Sequence, residues 1–281
     1  MVPAQELIRT KHCNSILAAA FGVEFACSRA SDHARRTWKV VQTAAGPAGT
    51  FADFDHFVFF SYSDLHETDI IPRDLPTRAI AFFAWTTFAF GAYTFQSRSA
   101  AWWHVLDIDA PNPALIVPMP IFKPYGQSTM RQENVMRETD PRALWFIRSD
   151  GGLGVPVVGE LPVLWHGHKD FLRLDGSPRK TIKIKVNWPG YERWEKQIRP
   201  MSDKGDNSVK RLANLVANKV NLFLSEHDIN QGHTGTNPRY VVGTQPGQIS
   251  ARDVLLLGIV IVSGGAAMPI VQLRDGFAFA F

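Results

Sequence analysis

The chain has 281 residues, of which 45% are hydrophobic and 20% are charged. This balance predicts a folded protein with a sizeable buried core and excludes a largely disordered chain. The 19 phenylalanines and eight tryptophans favour a large core or a binding interface. The net charge of +4 is modest but uneven, because residues 165–220 hold 13 basic and six acidic side chains.

Cysteine usage bears on the cellular location. Two cysteines, Cys13 and Cys27, are too few for a disulfide framework. They predict a reducing compartment, the cytoplasm or the nucleus, although a single bridge in a secreted protein stays open as an alternative. The short apolar run at 16–23 is followed by Glu24, which argues against a secretory signal peptide.

Residues 1–120 show no long helical period. Apolar and aromatic bursts alternate with polar patches, which predicts an irregular, β-rich N-terminal region that need not be an independent domain. The charge-free run at 79–96 is rich in Phe, Thr and Tyr, so we expect buried strands that turn near Gly91. A membrane segment is the other interpretation of this run, but its polar residues argue against it.

We interpret residues 121–142 as a connector and residues 143–281 as a regular domain. The segment 181–186 alternates isoleucine or valine with polar residues, which predicts a strand with one buried face and one solvent-exposed face. Such strands are typical of antiparallel sheets. The predicted fold class is therefore α+β, with an antiparallel sheet covered by one main amphipathic helix.

Two helices and further strands complete the prediction for this domain. The main helix spans 208–225, where apolar residues recur at helical spacing. Tyr191, Trp194 and Ile198 recur at similar spacing, which predicts a shorter helix. Further strands are expected at 144–148, 155–159, 254–262 and 269–273, the last two as a hairpin.

Three segments of this domain resemble one group of known sequences. They are IKIKVNWPGYERWEKQI at 182–198, LANLVANKVNLFL at 212–224 and GIVIVSGGAAMPIVQL at 258–273. Together they resemble uncharacterised proteins of mushroom-forming basidiomycete fungi. The resemblance covers the C-terminal half and implies a domain over 143–275. It implies no activity, cofactor or functional residue.

A basic-aromatic surface is the leading candidate for function. Lysines on the solvent-exposed face of a strand can bind an acidic partner. Aromatic residues that follow them can stack on the bases of single-stranded nucleic acid. We expect a non-enzymatic interaction protein inside the cell that binds a protein or another acidic partner, with single-stranded nucleic acid as an alternative. In the ordinary interpretation, the lysines protect the strand and the aromatics pack in the core. The basic-aromatic surface comprises Lys183, Lys185, Trp188, Tyr191, Arg193 and Trp194.

His166, His168 and Asp170 form the second candidate site. On a strand these alternate residues would share a face, and two imidazoles with a carboxylate can bind zinc or another divalent metal. The pattern predicts a metal-dependent hydrolase, whereas the glycine and lysine between these residues favour a surface turn. We expect no cofactor other than such a metal. Candidates for a further ligand are His227, Asp228 and His233.

Other acid–histidine groups carry no functional prediction. His104 with Asp107 and Asp109 is typical of a half-buried strand or turn. The sequence also lacks the glycine patterns of nucleotide-binding loops and the nucleophile elbow of serine hydrolases. An enzyme is therefore the less favoured class.

Overall fold

The structure is a computed structural model that describes residues 2–43, 51–62, 75–85, 94–96, 102–124, 130, 135, 139–171, 180–229 and 235–279. Helices come first in the chain, and two β-sheets follow, the second of them packed against a long helix. The chain therefore has the predicted α+β class.

The beginning of the chain is helical, so the prediction of an irregular, β-rich region was wrong there. The prediction failed because the apolar part of the buried face of the longest of these helices is formed mainly by small residues, Ala26, Ala30 and Ala34, each four positions apart. A search for large apolar residues does not find such a stripe. The helices are α1 (Ala4–His12), α2 (Ile16–Phe21), α3 (Val23–Thr43) and α4 (Phe54–Ser61).

The first sheet follows these helices. Its strands are β1 (Ala79–Phe83), β2 (Thr94–Gln96) and β3 (Trp102–Ile108). β3 lies between β1 and β2 and pairs antiparallel with both. The strands expected within 79–96 are therefore confirmed, but they pair with β3 rather than with each other. The turn predicted near Gly91 lies outside the described residues.

The second sheet contains the strands of the C-terminal half. They are β4 (Ala143–Trp145), β5 (Val155–Pro156), β6 (Ile182–Val186), β7 (Trp194–Ile198), β8 (Val254–Ser263) and β9 (Ala266–Leu273). Their order is β4–β8–β9–β6–β7, and β5 also pairs with β8. The predicted β8–β9 hairpin is confirmed.

One strand pair departs from the predicted antiparallel sheet. β6 and β9 are parallel, with Lys183 opposite Ala266 and Ile184 opposite Ala267. The other named pairs of this sheet are antiparallel. The sheet is therefore mixed, since the long connection between β6 and β9 lets the chain return in the same direction.

The main helix, α5 (Val209–Glu226), confirms the helix predicted at 208–225. The hydroxyl of Ser208 accepts a hydrogen bond from the backbone N–H of Arg211, which caps its first turn. Its buried side packs against β6 and β7 through residues that include Leu212, Val216 and Phe223. The amphipathic pattern was reliable here because it extends over five turns of helix.

The shorter helix predicted from Tyr191, Trp194 and Ile198 was wrong. This segment contains β7, which pairs with β6 in the register Val186–Trp194 and Ile182–Ile198. A spacing of four places Trp194 and Ile198 on one side of a strand as well as of a helix. The turn at Gly190, whose φ is 87°, brings β7 back against β6 and decides for the strand.

The largest hydrophobic core joins the two halves of the chain. It contains Ile16 and Leu17 of α2 together with residues of the second sheet and of α5. A second, smaller core lies among α1, α3, α4 and the first sheet, and it includes Phe57 and Phe82. The first half therefore contributes to the core of the second. That residues 1–120 need not be an independent domain stays a prediction.

The described helices do not include a membrane span: none is both long and apolar enough to cross a bilayer. α3 has 21 residues, but charged side chains recur along it. Within 79–96, the described residues form β1, the two residues that follow it, and β2. This finding does not support the alternative of a membrane helix.

Replacing Phe223 by alanine should destabilise the protein by about 3–5 kcal/mol, because this fully buried ring packs against Trp188, Tyr191 and Trp194. Urea unfolding followed by tryptophan fluorescence measures the change. The control is Asn214→Ala, at an exposed position of the same helix. Equal stabilities of the two variants would contradict the packing of α5 described above.

Candidate functional site

The tryptophans of the basic-aromatic surface are buried in the core. Trp188 is 1% exposed and its indole N–H donates to the carbonyl oxygen of Tyr240 at 2.9 Å. Trp194 is 8% exposed and its indole N–H donates to Oε2 of Glu226 at 2.7 Å. Both rings pack around Phe223. The indole rings of Trp188 and Trp194 are therefore not available for stacking on nucleic-acid bases.

Tyr191 and Arg193 lie at the turn before β7. Tyr191 is half-buried, and its hydroxyl accepts a hydrogen bond from the backbone N–H of Val242 at 2.8 Å. Its ring contacts Phe223 and His227 edge-on. Arg193 is exposed. Tyr191 therefore has a structural role, and Arg193 is the more exposed of the two.

The two lysines of the surface share one carboxylate. Lys183 donates to Oε1 of Glu195 at 2.7 Å, and Lys185 donates to Oε2 of the same residue. These hydrogen bonds lower the pKa of Glu195 to about 2. The Lys185 side chain is 13% exposed, and its ammonium lies 3.8 Å from the ring centroid of Phe122. Glu195 therefore offsets one of the two lysine charges, and Lys183 is the more accessible lysine.

The predicted metal ligands do not share a strand face. Residues 166–169 form a turn, and His166 adopts φ = 60°. The backbone of Asp170 forms an isolated antiparallel β-bridge with that of Ser208. The imidazole centroids of His166 and His168 lie 6.4 Å apart. The premise of a strand was wrong, because a hydrogen bond from the N–H of Lys169 to the carbonyl of His166 closes the turn.

The further ligands proposed from the sequence do not complete this site. His227 ends α5, and its Nδ1 lies 2.9 Å from the carbonyl oxygen of Phe223. Asp228 lies beside it, at a cavity formed with residues 242–244 and 249–251. His233 lies outside the described residues. Within the described part of the chain, no three His, Cys, Asp or Glu side chains are grouped so that they could hold a metal ion.

A cavity against α3 is the most complete candidate site. It has a volume of about 220 Å³ and lies between α3 and the segment that leads into β4. This is room for a small organic molecule rather than for a single water. Its walls combine charged, polar and aliphatic side chains, as ligand sites commonly do. They are formed by His33, Arg36, Thr37, Val40, Asp140, Pro141 and Arg142.

The cavity is backed by a buried pair of histidines, His33 of α3 and His104 of β3. Nδ1 of His104 lies 2.9 Å from Nε2 of His33, so one nitrogen donates and the other accepts. Nε2 of His104 is buried and has no hydrogen-bond partner among the described residues. A buried N–H without an acceptor is rarer than a bare lone pair. We therefore assign the His104 proton to Nδ1, which donates to His33.

Both histidines are neutral at pH 7. Burial lowers the pKa of His33 to about 3, and the positive charge of Arg142 acts in the same direction. Burial likewise lowers the pKa of His104 well below its ordinary value, and the neighbouring His33 adds to this effect. Next to the cavity, the pair offers hydrogen-bonding nitrogens without adding charge.

A buried arginine behind the cavity, Arg29, connects α3 to the segment that leads into β4. The guanidinium of Arg29, on α3, donates to the carbonyl oxygens of Asp140 at 2.6 Å and Ile261 at 2.9 Å. It also lies 3.4 Å from the hydroxyl of Thr139. Burial lowers the pKa of Arg29 to about 10, so the side chain stays charged at pH 7. The cavity walls are therefore held in place by a buried cation.

The carboxylate of Asp140 is held by Arg142. The guanidinium donates to Oδ2 at 2.9 Å and to Oδ1 at 3.1 Å, and the Arg142 backbone N–H donates to Oδ1 at 3.0 Å. Burial alone would raise the pKa of Asp140, but Arg142 outweighs burial and lowers that pKa to about 2. Asp140 is therefore an anion at pH 7, fixed at the cavity wall.

A second buried polar cluster has a structural role. The Asp107 carboxylate lies 3.3 Å from Nδ1 of His12 and accepts hydrogen bonds from the backbone N–H of Leu17 and of Ile108. The hydroxyl of Tyr62 lies 3.3 Å from Nε2 of His12. These contacts join α1, α2 and the end of α4 to β3. The acid–histidine group noted around residue 104 in the sequence thus contributes to two separate clusters.

Sequence reasoning missed the α3 cavity. Arg29, His33 and Thr37 recur every four residues along α3, next to its alanine stripe, and this polar stripe was the available signal. Its partners Asp140 and Arg142 belong to the segment that the sequence indicated as a connector. Their approach to α3 depends on the tertiary fold.

Comparison of the chain with protein-family models, with curated proteins and with solved structures finds no match. The assignment of a site therefore rests on the geometry and charge of the residues themselves. On that ground, the α3 cavity combines more features of a ligand site than the basic-aromatic surface or the histidine turn.

The free energy of unfolding should fall as the pH is lowered from about 6.5 towards 3. In this window the unfolded chain protonates its histidines, whereas His33, with a folded pKa of about 3, stays neutral. Each such histidine contributes a slope of at most about 1.4 kcal/mol per pH unit. Urea unfolding at several pH values measures the slope.

The variant His33→Gln should flatten this dependence, since it removes one imidazole of the buried His33–His104 pair. The matched control is His168→Gln, at an exposed histidine outside the cluster. If the slope is the same in His33→Gln and in the unaltered protein, His33 does not titrate as its burial requires.

Proposed function

We propose that the protein binds a small organic molecule in the α3 cavity. The observation that carries the proposal is the cavity itself, of about 220 Å³, whose walls combine His33 and Arg36 with the aliphatic Val40 and Pro141. Sites of this kind orient a ligand with a few polar groups while apolar walls supply burial. The proposal keeps the binding role expected from the sequence and assigns it to a different part of the molecule.

The walls of the cavity support this function because they are fixed before a ligand arrives. Arg29 links α3 to the backbone of Asp140 and of Ile261, and Arg142 holds the Asp140 carboxylate. The imidazole of His33 is fixed by its contact with His104. A site with fixed walls loses little conformational freedom on binding, and more of the interaction energy contributes to affinity.

An acidic protein partner is the second candidate, at the exposed part of the basic-aromatic surface. Lys183 and Arg193 are exposed there, which favours this function. The alternatives drawn from the sequence have less support. Single-stranded nucleic-acid binding would use Trp188 and Trp194, which are buried. A metal-dependent hydrolase would use His166 and His168, which lie on a turn. A location in the cytoplasm or nucleus is part of this proposal, and the free thiols of Cys13 and Cys27 are compatible with it.

Replacing both Lys183 and Arg193 by glutamate should weaken binding of an acidic polypeptide such as poly-glutamate, because two attractive charges become repulsive. Affinity measured at low and at physiological salt checks this, with Lys39→Glu, an exposed lysine of α3, as the control. Undiminished binding by the double variant would rule out this surface as the acceptor.

Replacing Val40 by tryptophan should fill the α3 cavity and abolish ligand binding there. A screen of small organic compounds by ligand-observed NMR and by thermal shift identifies binders of the unaltered protein, since a ligand of the folded state raises Tm. We expect Val40→Trp to lose these binders while it melts cooperatively.

The control for this variant is Lys39→Trp, which adds the same side chain at an exposed position next to Val40 on α3. It should retain the binders. If every binder is retained by Val40→Trp as well, the α3 cavity is not the binding site.

A further inference from the structure

We propose that the outer edge of β7, at Glu195 and Gln197, binds an extended acidic segment of a partner protein, which joins the second sheet as a further strand. This inference rests on the second candidate function above, an acidic protein partner, and adds how such a partner is held. It is drawn from the backbone of β7, which lies at one end of the strand order β4–β8–β9–β6–β7.

The pairing of β6 fixes which backbone groups of β7 point outward. The N–H of Lys183 donates at 2.8 Å to the carbonyl oxygen of the residue before β9, so the peptide groups of Lys183 face β9. Because these groups alternate in direction along a strand, those of Ile184 face β7, where its partner is Lys196. The neighbours of Lys196 in β7, Glu195 and Gln197, therefore direct their N–H and C=O groups away from β6.

These outward groups are open to a partner. Within the part of the chain that the structure describes, no hydrogen bond reaches them from another strand or loop. Glu195 and Gln197 are both exposed. The open stretch ends at Arg199, whose carbonyl oxygen lies 3.5 Å from Nη2 of Arg211. Two N–H and two C=O groups in one row are the template on which an extended peptide adds to a sheet.

Two arginines flank this edge and select the charge of the partner. Arg193 precedes β7, Arg199 follows it, and both are exposed. Among the described residues, neither side chain forms an ion pair. A peptide strand that runs beside β7 brings its two ends next to these guanidinium groups. Acidic side chains at both ends can accept paired hydrogen bonds from them.

The carboxylate in the middle of the edge does not oppose an acidic partner. Glu195 accepts hydrogen bonds from both Lys183 and Lys185, so its negative charge is already paired. The ammonium of Lys196 lies 3.6 Å from Oε1 of Glu226, which pairs that charge as well. The charges at this edge that remain for a partner are therefore those of the flanking arginines.

A second copy of the chain fits this edge less well. In a symmetric antiparallel pair of two β7 strands, the central residue faces itself. Pairing about Glu195 or Lys196 would therefore place like charges opposite each other, which destabilises a sheet. Pairing about Gln197 avoids this contact, so self-association is one of the outcomes that the test must distinguish.

The test uses the full chain and short labelled peptides, with binding followed by fluorescence anisotropy at physiological salt. The parent peptide is a blocked heptamer, Glu-Val-Thr-Val-Thr-Val-Glu, which matches 193–199 in length and sets a glutamate beside each flanking arginine. We expect it to bind. Replacing both of its glutamates by glutamine should weaken binding about tenfold or more.

Two N-methylated forms of the parent peptide test the backbone pairing. One is methylated at its third and fifth residues, and the other at its second and fourth. Only one of these sets of N–H groups faces β7, whichever way the peptide runs. One form should therefore bind about tenfold or more weakly than the parent, and the other should bind like the parent. A peptide held by charge alone would bind equally in both forms.

The matched protein variants are Gln197→Pro and Gln197→Thr. Proline removes one outward N–H and leaves the hydrogen bonds between β6 and β7 intact, because an edge strand tolerates proline on its open side. It should weaken binding of the parent peptide about tenfold or more, whereas threonine keeps the N–H and should retain binding. Circular dichroism melts of both variants confirm folding.

The charge variants replace Arg193 and Arg199 together by glutamine. They should weaken binding of the glutamate peptide about tenfold or more and leave the glutamine peptide unchanged. Arg252→Gln, at an exposed arginine ahead of β8, is the control and should bind like the unaltered protein.

The outcomes separate this inference from the function beneath it. If the parent peptide does not bind, or if both methylated forms bind like it, strand addition is overturned; poly-glutamate binding that is lost on replacing Lys183 and Arg193 by glutamate would still support the acidic-partner function. If the glutamine peptide binds as tightly as the glutamate peptide, the acidic class is overturned. If sedimentation velocity shows a dimer that Gln197→Pro dissociates, the edge binds a second copy and the inference falls.

Discussion

The architecture depends on one buried cation, the guanidinium of Arg29. It extends from α3 and bonds to the backbone carbonyls of Ile261 in β8 and of Asp140 ahead of β4. A buried charge is costly unless it is compensated and hydrogen-bonded, and here neutral oxygens supply the bonds while Asp140 and Asp32 compensate the charge through space. The same bonds join the helices of the first half to the sheet of the second. Both carbonyl oxygens accept from the same guanidinium nitrogen, Nη2, which therefore bridges the two segments.

Small residues are what allow α3 to approach its neighbours so closely. Ala26, Ala30 and Ala34 fill its buried stripe, and the longer Arg29 and His33 lie beside that stripe. Arg29 reaches Ile261 of the second sheet and Asp140 ahead of β4, and His33 reaches His104 of the first sheet. A regular helix then holds these groups at fixed positions, which is a more rigid support for a site than a loop provides. The same helix, α3, thus provides both the alanine stripe that packs in the core and the polar side chains of the cavity.

The sequence predicted those elements whose pattern admits a single interpretation. β6 alternates over a full strand and α5 keeps its stripe over five turns, so both were found with nearly correct ends. Trp194 and Ile198 fit a helix and a strand equally, and the pairing of β7 with β6 decided between them. The ion pairing of the two lysines was missed for a related reason: Glu195 lies directly opposite Lys185 only once that register is set. The cavity joins His33 to Asp140 and Arg142, and no local pattern reveals such a distant contact.

Two opposing electrostatic effects act on the protonation of His33, which lines the α3 cavity. Burial and the positive charge of Arg142 disfavour the imidazolium, whereas the nearby Asp140 favours it. Because the disfavouring effects prevail, the ring stays neutral at pH 7. A bound anion would act in the same direction as Asp140 and would raise the pKa of His33. By linkage, protonation of His33 and binding of an anion must strengthen each other. The neutral imidazole therefore limits how strongly the α3 cavity attracts anions at pH 7, and that limit weakens as the solution becomes more acidic.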